Sequence, residues 1–414
     1  MTDTDRASAN LELLSTPPGA ELLARLAGTD TAGADELRLA AALRREYPAD
    51  LVTAALALHE LRQRARAKFN RADSMWLTRD GLEQASSEPV ARHRAARYAG
   101  RNRVVDLCCG IGGDLLALAG AVTGTGAGTG TATGSGAGTG TATGSGEVLG
   151  VDRDRLHLRM AARNAEAYGV PVRTWLGDVR EADLTGADAV FVDPARRAGG
   201  RRLRTGESEP PLDWCTALAE RVPAVGIKAA PGLDRAAVPA GWEVEFVADG
   251  RELKEAVLWS PALSTPGVGS RATVLPGGHQ LLPEPGPEVP NRPPGEFLLD
   301  PNPAVTRAGL VEELARRLGA WKIDPRIAFL SGDEALRSPF GRSLRVLDSA
   351  PWRERDLAGR LRAHNIGALD IRRRGLAGDV EVLRRKLRTS GSTPATLVMT
   401  RVDDQPWALI CVDV

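Results

Sequence analysis

An α/β fold built on a doubly wound, mostly parallel sheet is what this sequence predicts, and three observations predict it. Val104-Val105-Asp106-Leu107 reads as a short buried strand that passes Cys108-Cys109, breaks into the glycine turn Gly110-Ile111-Gly112-Gly113 and opens a helix at Asp114. Further apolar strands follow and close on acids in the same way: 147–152 ends at Asp152, 172–179 holds Asp178, and 187–193 ends at Asp193. Asp106, Asp152, Asp178 and Asp193 thus stand at the C-terminal ends of successive strands, the rim where ligands bind in open α/β sheets. A strand that feeds a glycine turn and a helix N-terminus presents backbone N–H groups to a nucleotide-like ligand; the same cluster also serves as a tight turn in any α/β domain.

Taken in order, residues 11–48 suggest short helices, with Thr16-Pro17-Pro18-Gly19 as a start signal and Leu22, Leu23 and Leu26 on one side. Residues 51–68 form a longer helix, because Leu51, Ala54, Ala55, Leu58 and Leu61 fall at helical spacing. From 62 to 103 there are eleven Lys/Arg against four Asp/Glu, a local excess of seven positive charges interleaved with Phe69, Trp76 and Tyr98, which reads either as a solvated face or as a nucleic-acid contact. Residues 1–100 are therefore expected to be a helical N-terminal domain.

The sheet domain is expected over 101–275. Within it, residues 123–146 contain only Gly, Thr, Ala and Ser, and Gly-Thr-Gly-Thr-Ala-Thr-Gly-Ser-Gly occurs twice, at 128–136 and 138–146. Such a tract has nothing with which to form a core, so it reads as a surface insertion. Gly110 and Asp152 are 42 positions apart, and leaving the 24-residue tract out brings them to 18. That is close to the roughly 20 residues between a glycine loop and its ribose-binding acid. Ala224-Val225-Gly226-Ile227-Lys228 is a fifth strand, and 242–249 with 252–259 read as a closing antiparallel pair across Gly250.

Seven Pro and four Gly between 275 and 295 mark a linker, placed at 276–296. Residues 297–414 read as a small α+β domain. Strand-like pieces at 297–299, 327–330, 344–347 and 366–371 alternate with helices at about 304–318, 353–364 and 378–388, and a hairpin of 396–402 and 407–412 closes the chain. From 360 to 388 there are nine basic residues and three acids, densest at Arg372-Arg373-Arg374 and Arg384-Arg385-Lys386. A basic face on a small domain beside a catalytic sheet suggests a reader of a large polyanion, and a merely soluble face is the other reading.

Composition sets bounds. Lys+Arg number 54 and Asp+Glu 53, so the chain as a whole exerts no pull toward polyanions, and only five of the 54 are Lys. The four Cys include no C-x-x-C pair and have no His at metal-ligand spacing, which speaks against a zinc site; no metal is expected. The first ten residues are polar, and no apolar run approaches the roughly 18 residues needed to span a bilayer, so no membrane partner and a reduced, cytoplasmic location are expected. The oligomeric state is open, a monomer being compatible with everything above.

On these motifs, region 104–259 resembles a class I S-adenosylmethionine-dependent methyltransferase with its Rossmann-like sheet. The order of the whole chain resembles bacterial methyltransferases with a THUMP-like C-terminal domain, and the Cys-Gly-x-Gly-Gly turn is similar to the trimethylguanosine-synthase type. The resemblance implies S-adenosylmethionine as cofactor and RNA, tRNA or rRNA, as partner. It implies donor contacts from Asp106, Cys108, Gly110, Gly112, Gly113, Asp114, Asp152 with the adjoining Arg153, Asp178 and Val179. Asp152 would take the ribose, Asp178 with the N–H of Val179 the adenine, and Asp106 the loop or the donor's ammonium; Asp114 reads as a helix cap or a ligand contact.

Asp193-Pro194-Ala195-Arg196 occupies the place where methyltransferases of exocyclic amines carry Asp/Asn-Pro-Pro-aromatic. Asp193 and Pro194 would accept from the amine; Ala195 and Arg196 depart from the pattern, and a guanidinium can stack on a base in place of the aromatic ring. Arg196 and Arg197, with Arg201, Arg202 and Arg204, suggest a basic loop over the site, and Arg372, Arg373 and Arg374 an RNA contact. Lys228, at a strand end, is a catalytic candidate or a structural lysine. The cysteine that pyrimidine C5 methylation usually needs is missing near Asp193, and Lys68, Asp193, Lys228 and Glu255 fit a ribose 2′-hydroxyl set only loosely. Methylation of a small molecule or a protein, and a non-enzymatic donor-binding module, are the other readings.

Overall fold

The computed structural model describes residues 3–29, 34–124, 146–195, 197–198, 201–202 and 207–414. Most of the repeat tract of 123–146 lies outside the described residues, as do the side chains of Arg196, Arg197, Arg201, Arg202 and Arg204. The chain divides into two compact units. The first takes in Met1–Trp242 and Leu258–Ser264, the second Glu243–Val257 and Thr265–Val414.

In the first unit, helices α1 (Asp3–Leu14), α2 (Pro17–Leu26), α3 (Ala34–Leu43) and α4 (Ala49–Ala65) precede the sheet. Thr16 caps α2 by accepting from the Gly19 N–H, and two prolines occupy its first turn where no N–H is missed. α4 starts after Pro48 and ends near Arg66, short of the expected 68, and the chain then folds back through α5 (Arg79–Gln84) and α6 (Glu88–Ala95). Leu22, Leu26, Leu43, Val52 and Ala55 are buried in one core with Ile111, Leu116, Leu156 and Met160, so these helices close over the flank of the glycine-turn segment.

Strands β1 (Arg103–Leu107), β2 (Glu147–Asp152), β3 (Arg173–Leu176), β4 (Ala189–Val192) and β5 (Ala224–Ala229) run parallel in the order β3-β2-β1-β4-β5. Helices α7 (Gly113–Thr123), α8 (Arg155–Tyr168) and α9 (Leu212–Ala217) connect them. The chain moves from β1 outward to β3 and returns to the other side of β1 with β4, so the topological switch point lies between β1 and its neighbours. Val104, Val105, Leu107, Val190, Phe191 and Val192 are buried, as strands covered on both faces require. β3 is an edge strand, exposed along its length, with Trp175 and Leu176 on its surface.

β6 (Glu243–Asp249), in the second unit, and β7 (Glu252–Trp259), which belongs to that unit up to Val257, are neighbours joined through Gly250, whose φ of +57° suits glycine. β8 (Ser270–Leu275) adds parallel to β6, and β9 (His279–Leu281) pairs antiparallel with β8. The proline-rich stretch read as a linker therefore carries a strand, with Leu281 and Val289 buried, because the Gly277-Gly278 turn lets the chain double back before the prolines accumulate.

A seven-stranded sheet follows, made of β10 (Phe297–Pro301), β11 (Trp321–Lys322), β12 (Leu330–Gly332), β13 (Gly341–Pro351), β14 (Ile366–Arg373), β15 (Thr393–Val402) and β16 (Gln405–Asp413), in the order β11-β12-β10-β13-β16-β15-β14. β14 and β15 are parallel, and β15 and β16 form the expected hairpin. Helices α12 (Glu354–Ala363) and α13 (Val380–Leu387) match expectation. The single helix expected at 304–318 is two, α10 (Pro303–Ala308) and α11 (Val311–Leu318), because Gly309 at φ +75° terminates the first.

Gly226, in the middle of β5, is packed beneath the Tyr98 and Trp259 side chains, and a Cβ there would stand 2.3 Å from Tyr98 Oη and 2.6 Å from Trp259 Cζ3. Both rings are fully buried and cannot yield outward. Gly226→Ala is expected to destabilise the chain by about 1–3 kcal/mol, measured by urea unfolding.

Candidate active site

Asp152 organises the glycine turn. One of its carboxylate oxygens accepts from the Gly110 N–H and the other from the Asp154 N–H, each at 2.9 Å. Gly110 has φ +54° and Gly112 φ +97°, a backbone course that glycine follows without strain; Cys108, at φ +63°, follows it with a side chain. Asp154 in turn caps α8 by accepting from the N–H groups of Leu156 and His157. The end of β2 is thus tied at once to the turn after β1 and to the start of its own helix.

A cavity of about 70 Å³ opens at this rim, lined by Cys108, Asp152, Arg153, Gly177, Asp178, Val179, Arg180, Ala195, Glu209 and Pro210. It brings together Cys108, Asp152, Arg153, Asp178 and Val179 from the expected donor contacts, and adds Ala195 from the motif after β4. Gly110, Gly112, Gly113, Asp106 and Asp114 are not in its lining. Asp178 turns its carboxylate onto the Arg180 backbone N–H at 2.9 Å, and this bond, ahead of the Arg180 charge, holds its pKa below the usual carboxylate range. The Arg180 guanidinium also reaches Glu209 at 2.7 Å and lies 5.8 Å from the centre of the Trp214 ring, so it forms a strap across the cavity that sequence reasoning did not foresee.

Behind the rim lies a chain of charges, buried at Arg94 and Asp114 and partly exposed at Lys228 and Asp193. Lys228 Nζ, at the end of β5, donates to Asp193 Oδ2 at 2.7 Å and to Ser86 Oγ at 3.0 Å. Arg94 donates to the same Ser86 hydroxyl at 2.8 Å and pairs with Asp114, and Ser86 donates on to Asp114 at 3.2 Å. Asp114 therefore spends its carboxylate on Arg94 and Ser86; the N-cap of α7 is Gly112, without a side-chain bond, so the expected capping role is replaced. Burial, the largest influence, raises the pKa of Asp114, but the charges of Arg94 and Lys228 and the hydrogen bonds from Arg94 and Ser86 together outweigh it and hold the group below its ordinary value. Burial pushes Asp193 up, with Lys228 pulling the other way. Ser86 and Arg94 were missed at the sequence level, since neither belongs to a spaced motif.

Asp106 is fully buried, and both of its carboxylate oxygens are without a hydrogen-bond partner among the described residues. Burial, then the neighbouring charges of Asp114 and Asp193, push its pKa well up. Burial therefore favours the uncharged form of this carboxyl, which does not line the cavity. With accepting capacity left on Asp152 and Val179 among the lining residues, the residues present fit the nucleoside part of a sulfonium donor.

Several other candidates are structural. Lys68 Nζ donates to the carbonyls of Leu82, Glu83 and Ala85 at 2.7, 3.2 and 2.9 Å, closing the end of α5, which removes it from a ribose-hydroxyl set. In the basic stretch of 62–103, Arg62 bonds the Met75 carbonyl, Arg66 pairs with Asp73, Arg71 bonds the Ala167 carbonyl, Arg97 the Leu263 carbonyl and Arg101 the Ala262 carbonyl. Much of that charge is spent holding the first unit together. Cys108 and Cys215 have thiol pKa values raised by burial, Cys215 to about 12. Among the described residues no helix is long and apolar enough to cross a membrane, and no group of three His, Cys, Asp or Glu is gathered as for a metal.

Removing one partner of the buried Arg94–Asp114 pair strands a charge. Arg94→Met is expected to cost about 3–5 kcal/mol in urea unfolding, and the double variant Arg94→Met/Asp114→Leu to recover most of it.

Comparison with known proteins places this geometry. Residues 341–412 match the family described as THUMP domain-like, and residues 7–65 match a domain of unknown function, DUF8688. The chain is 36% identical over 354 residues to an uncharacterized S-adenosylmethionine-dependent methyltransferase of Mycobacterium tuberculosis, found in two strains, which spans 83% of this chain and 90% of that protein. The crystal structure of a protein from Porphyromonas gingivalis W83, described as a methyltransferase, superposes with a TM-score of 0.71 at 18% identity, covering 100% of this chain and 99% of the other, which shows a shared fold. The chain with the Asp152-anchored glycine turn belongs to the S-adenosylmethionine-dependent methyltransferases.

Proposed function

We propose that this methyltransferase acts on RNA, of the tRNA or rRNA class, at a base nitrogen. The observation that carries the reading is the pairing at the rim: Ala195 of the Asp193-Pro194-Ala195-Arg196 segment lines the same cavity as Asp152 and Asp178, while Asp193 is held by Lys228 at 2.7 Å. An acceptor brought beside the donor pocket therefore meets Asp193 and Pro194.

S-adenosylmethionine supplies an electrophilic methyl carbon. When the donor is bound, Asp152, Asp178, Val179 and the glycine turn would hold it, and Asp106, fully buried and outside the cavity lining, would act through the turn that follows it. Asp193 and the Pro194 carbonyl would accept from the N–H groups of an exocyclic amine and so aim its lone pair; as the N–C bond forms and the donor's S–C bond breaks, Asp193, whose ionised form Lys228 favours against burial, would take the amine's proton. Attack through a cysteine is disfavoured, because the Cys215 thiol is buried with its pKa raised to about 12 and the Cys108 thiol is raised as well. The ribose-hydroxyl route lacks Lys68 for the reason given above. RNA as the partner is supported by the THUMP domain-like match and by the exposed guanidiniums of Arg372 and Arg373 on β14, not by the N-terminal arginines, which are largely tied inside the first unit.

The test is incorporation of labelled methyl from the donor into total RNA of cells lacking the gene, with the modified nucleoside identified by mass spectrometry. A methylated base nitrogen is expected; no label in any RNA class would overturn the reading. Asp152→Ala is expected to weaken donor binding at least about tenfold in calorimetry, whereas Asp193→Ala keeps donor affinity and loses about 10²-fold or more in turnover.

Activity requires ionised Asp193, so it falls as pH drops through that group's pKa. The acid limb of kcat/KM is expected above the ordinary aspartate value of about 3.9. Lys228→Met removes the charge that favours the carboxylate and is expected to move the limb up by about one pH unit or more.

A further inference from the structure

Within the second unit, a cavity of about 490 Å³ is lined by Arg251, Asp300, Asn302, Arg342, Arg372 and Arg374 among others. Arg251 comes from the turn after β6, Arg342 from β13, Arg372 from β14, and Arg374 from the residue just past its end. Strand alternation is why the three consecutive arginines separate: Arg372 and Arg374 face the cavity, while Arg373 turns to the Gly378 carbonyl. Four guanidiniums and one carboxylate thus border this space.

That carboxylate is oversubscribed. Asp300 receives Arg374 at 2.9 Å and faces Arg251 at 3.6 Å, so two guanidiniums draw on one acid. Arg342 is turned to Asp413 at 2.6 Å, and Arg372 to Asp370 at 3.1 Å, and neither acid lines the cavity. Burial lowers the pKa of Arg251; Arg342 and Arg372 add to this against the pull of Asp300, as expected where like charges crowd. The side chains of Arg251 and Arg372 are about half exposed, at 52% and 46%, so an incoming ligand can reach them.

We infer that this cavity is a phosphate-binding site, taking phosphate groups of a polynucleotide or nucleotide. Guanidinium forks match phosphate oxygens in pairs, and several arginines around one space give the multivalent neutralisation a phosphate chain needs. The volume lies within the roughly 300–1,000 Å³ of pockets that hold a whole small ligand, so it admits a nucleotide-sized group and not merely a lone ion. Only the identity of the phosphate's carrier rests on the RNA reading above.

The experiment uses the full chain as wild type, as Arg251→Ala/Arg372→Ala, and as Arg355→Ala, a control on α12 outside the cavity lining. Thermal unfolding establishes that all are folded, and calorimetry with S-adenosylmethionine that the donor pocket is unchanged. Labelled bulk tRNA is titrated by fluorescence anisotropy between about 50 and 200 mM salt, with polyglutamate as a second polyanion and uridine 5′-monophosphate and inorganic phosphate by calorimetry. The double variant is expected to bind tRNA about tenfold more weakly, with a salt slope reduced by about one to two, and Arg355→Ala to match wild type. Wild-type-like affinity and slope in the double variant, or polyglutamate binding as tight and as dependent on the two arginines, would overturn the proposal. If the wild type ignores RNA but binds the mononucleotide or phosphate through these arginines, the cavity assignment stands and the RNA reading falls. If it binds none of them, the cavity assignment falls.

Discussion

The site depends on one serine hydroxyl placed among ions. Ser86 Oγ accepts from Lys228 and Arg94 and donates to Asp114, so a single buried oxygen connects two cations to a carboxylate while Lys228 continues to Asp193. Burying these charges separately would cost several kcal/mol each; linked end to end, each finds a partner of opposite sign or a dipole. Helix α6, which carries Arg94, and the segment that carries Ser86 are therefore tied to the ends of the sheet through Lys228 and Asp114, and the N-terminal helices cannot be regarded as an appendage of the sheet.

Three carboxylates share this small region in three different states, and environment alone separates them. Asp114 is held down by Arg94, Lys228 and Ser86 together against its burial, Asp193 is raised by burial against the pull of Lys228, and Asp106 is raised by burial and then by the charges of Asp114 and Asp193. Such a spread between neighbouring acids shows that environment, and not residue type, sets the protonation of each. On the cavity side, Arg180 links Asp178 to Glu209, both of which line the cavity.

Arginine does two kinds of work in this chain. In the first unit it is mostly mortar, capping carbonyls and pairing inside, as Arg62, Arg71, Arg97 and Arg101 do. In the second unit four arginines gather around one space that a single carboxylate lines. A count of charges along the chain cannot tell these apart, because the difference lies in whether a carbonyl or a carboxylate happens to be within reach in the fold.

By itself the sequence determined the parallel sheet, the glycine turn and the acids at strand ends, because hydrophobic period, glycine spacing and strand-terminal carboxylates are local properties. It also carried most of the α+β elements of 297–414, whose patterns are equally local; it misread the proline-rich stretch that holds β9 and the helix that Gly309 divides. Only the tertiary structure decided partners. Asp114 went to Arg94, twenty residues away in the chain, and Lys228 to Ser86, at a separation of 142. Strand alternation likewise sent Arg372 and Arg374 to a cavity and Arg373 away from it. Long-range electrostatic pairing has no period and no spacing rule; it exists only once the backbone has brought the charges within a few ångströms and excluded the water that would otherwise separate them.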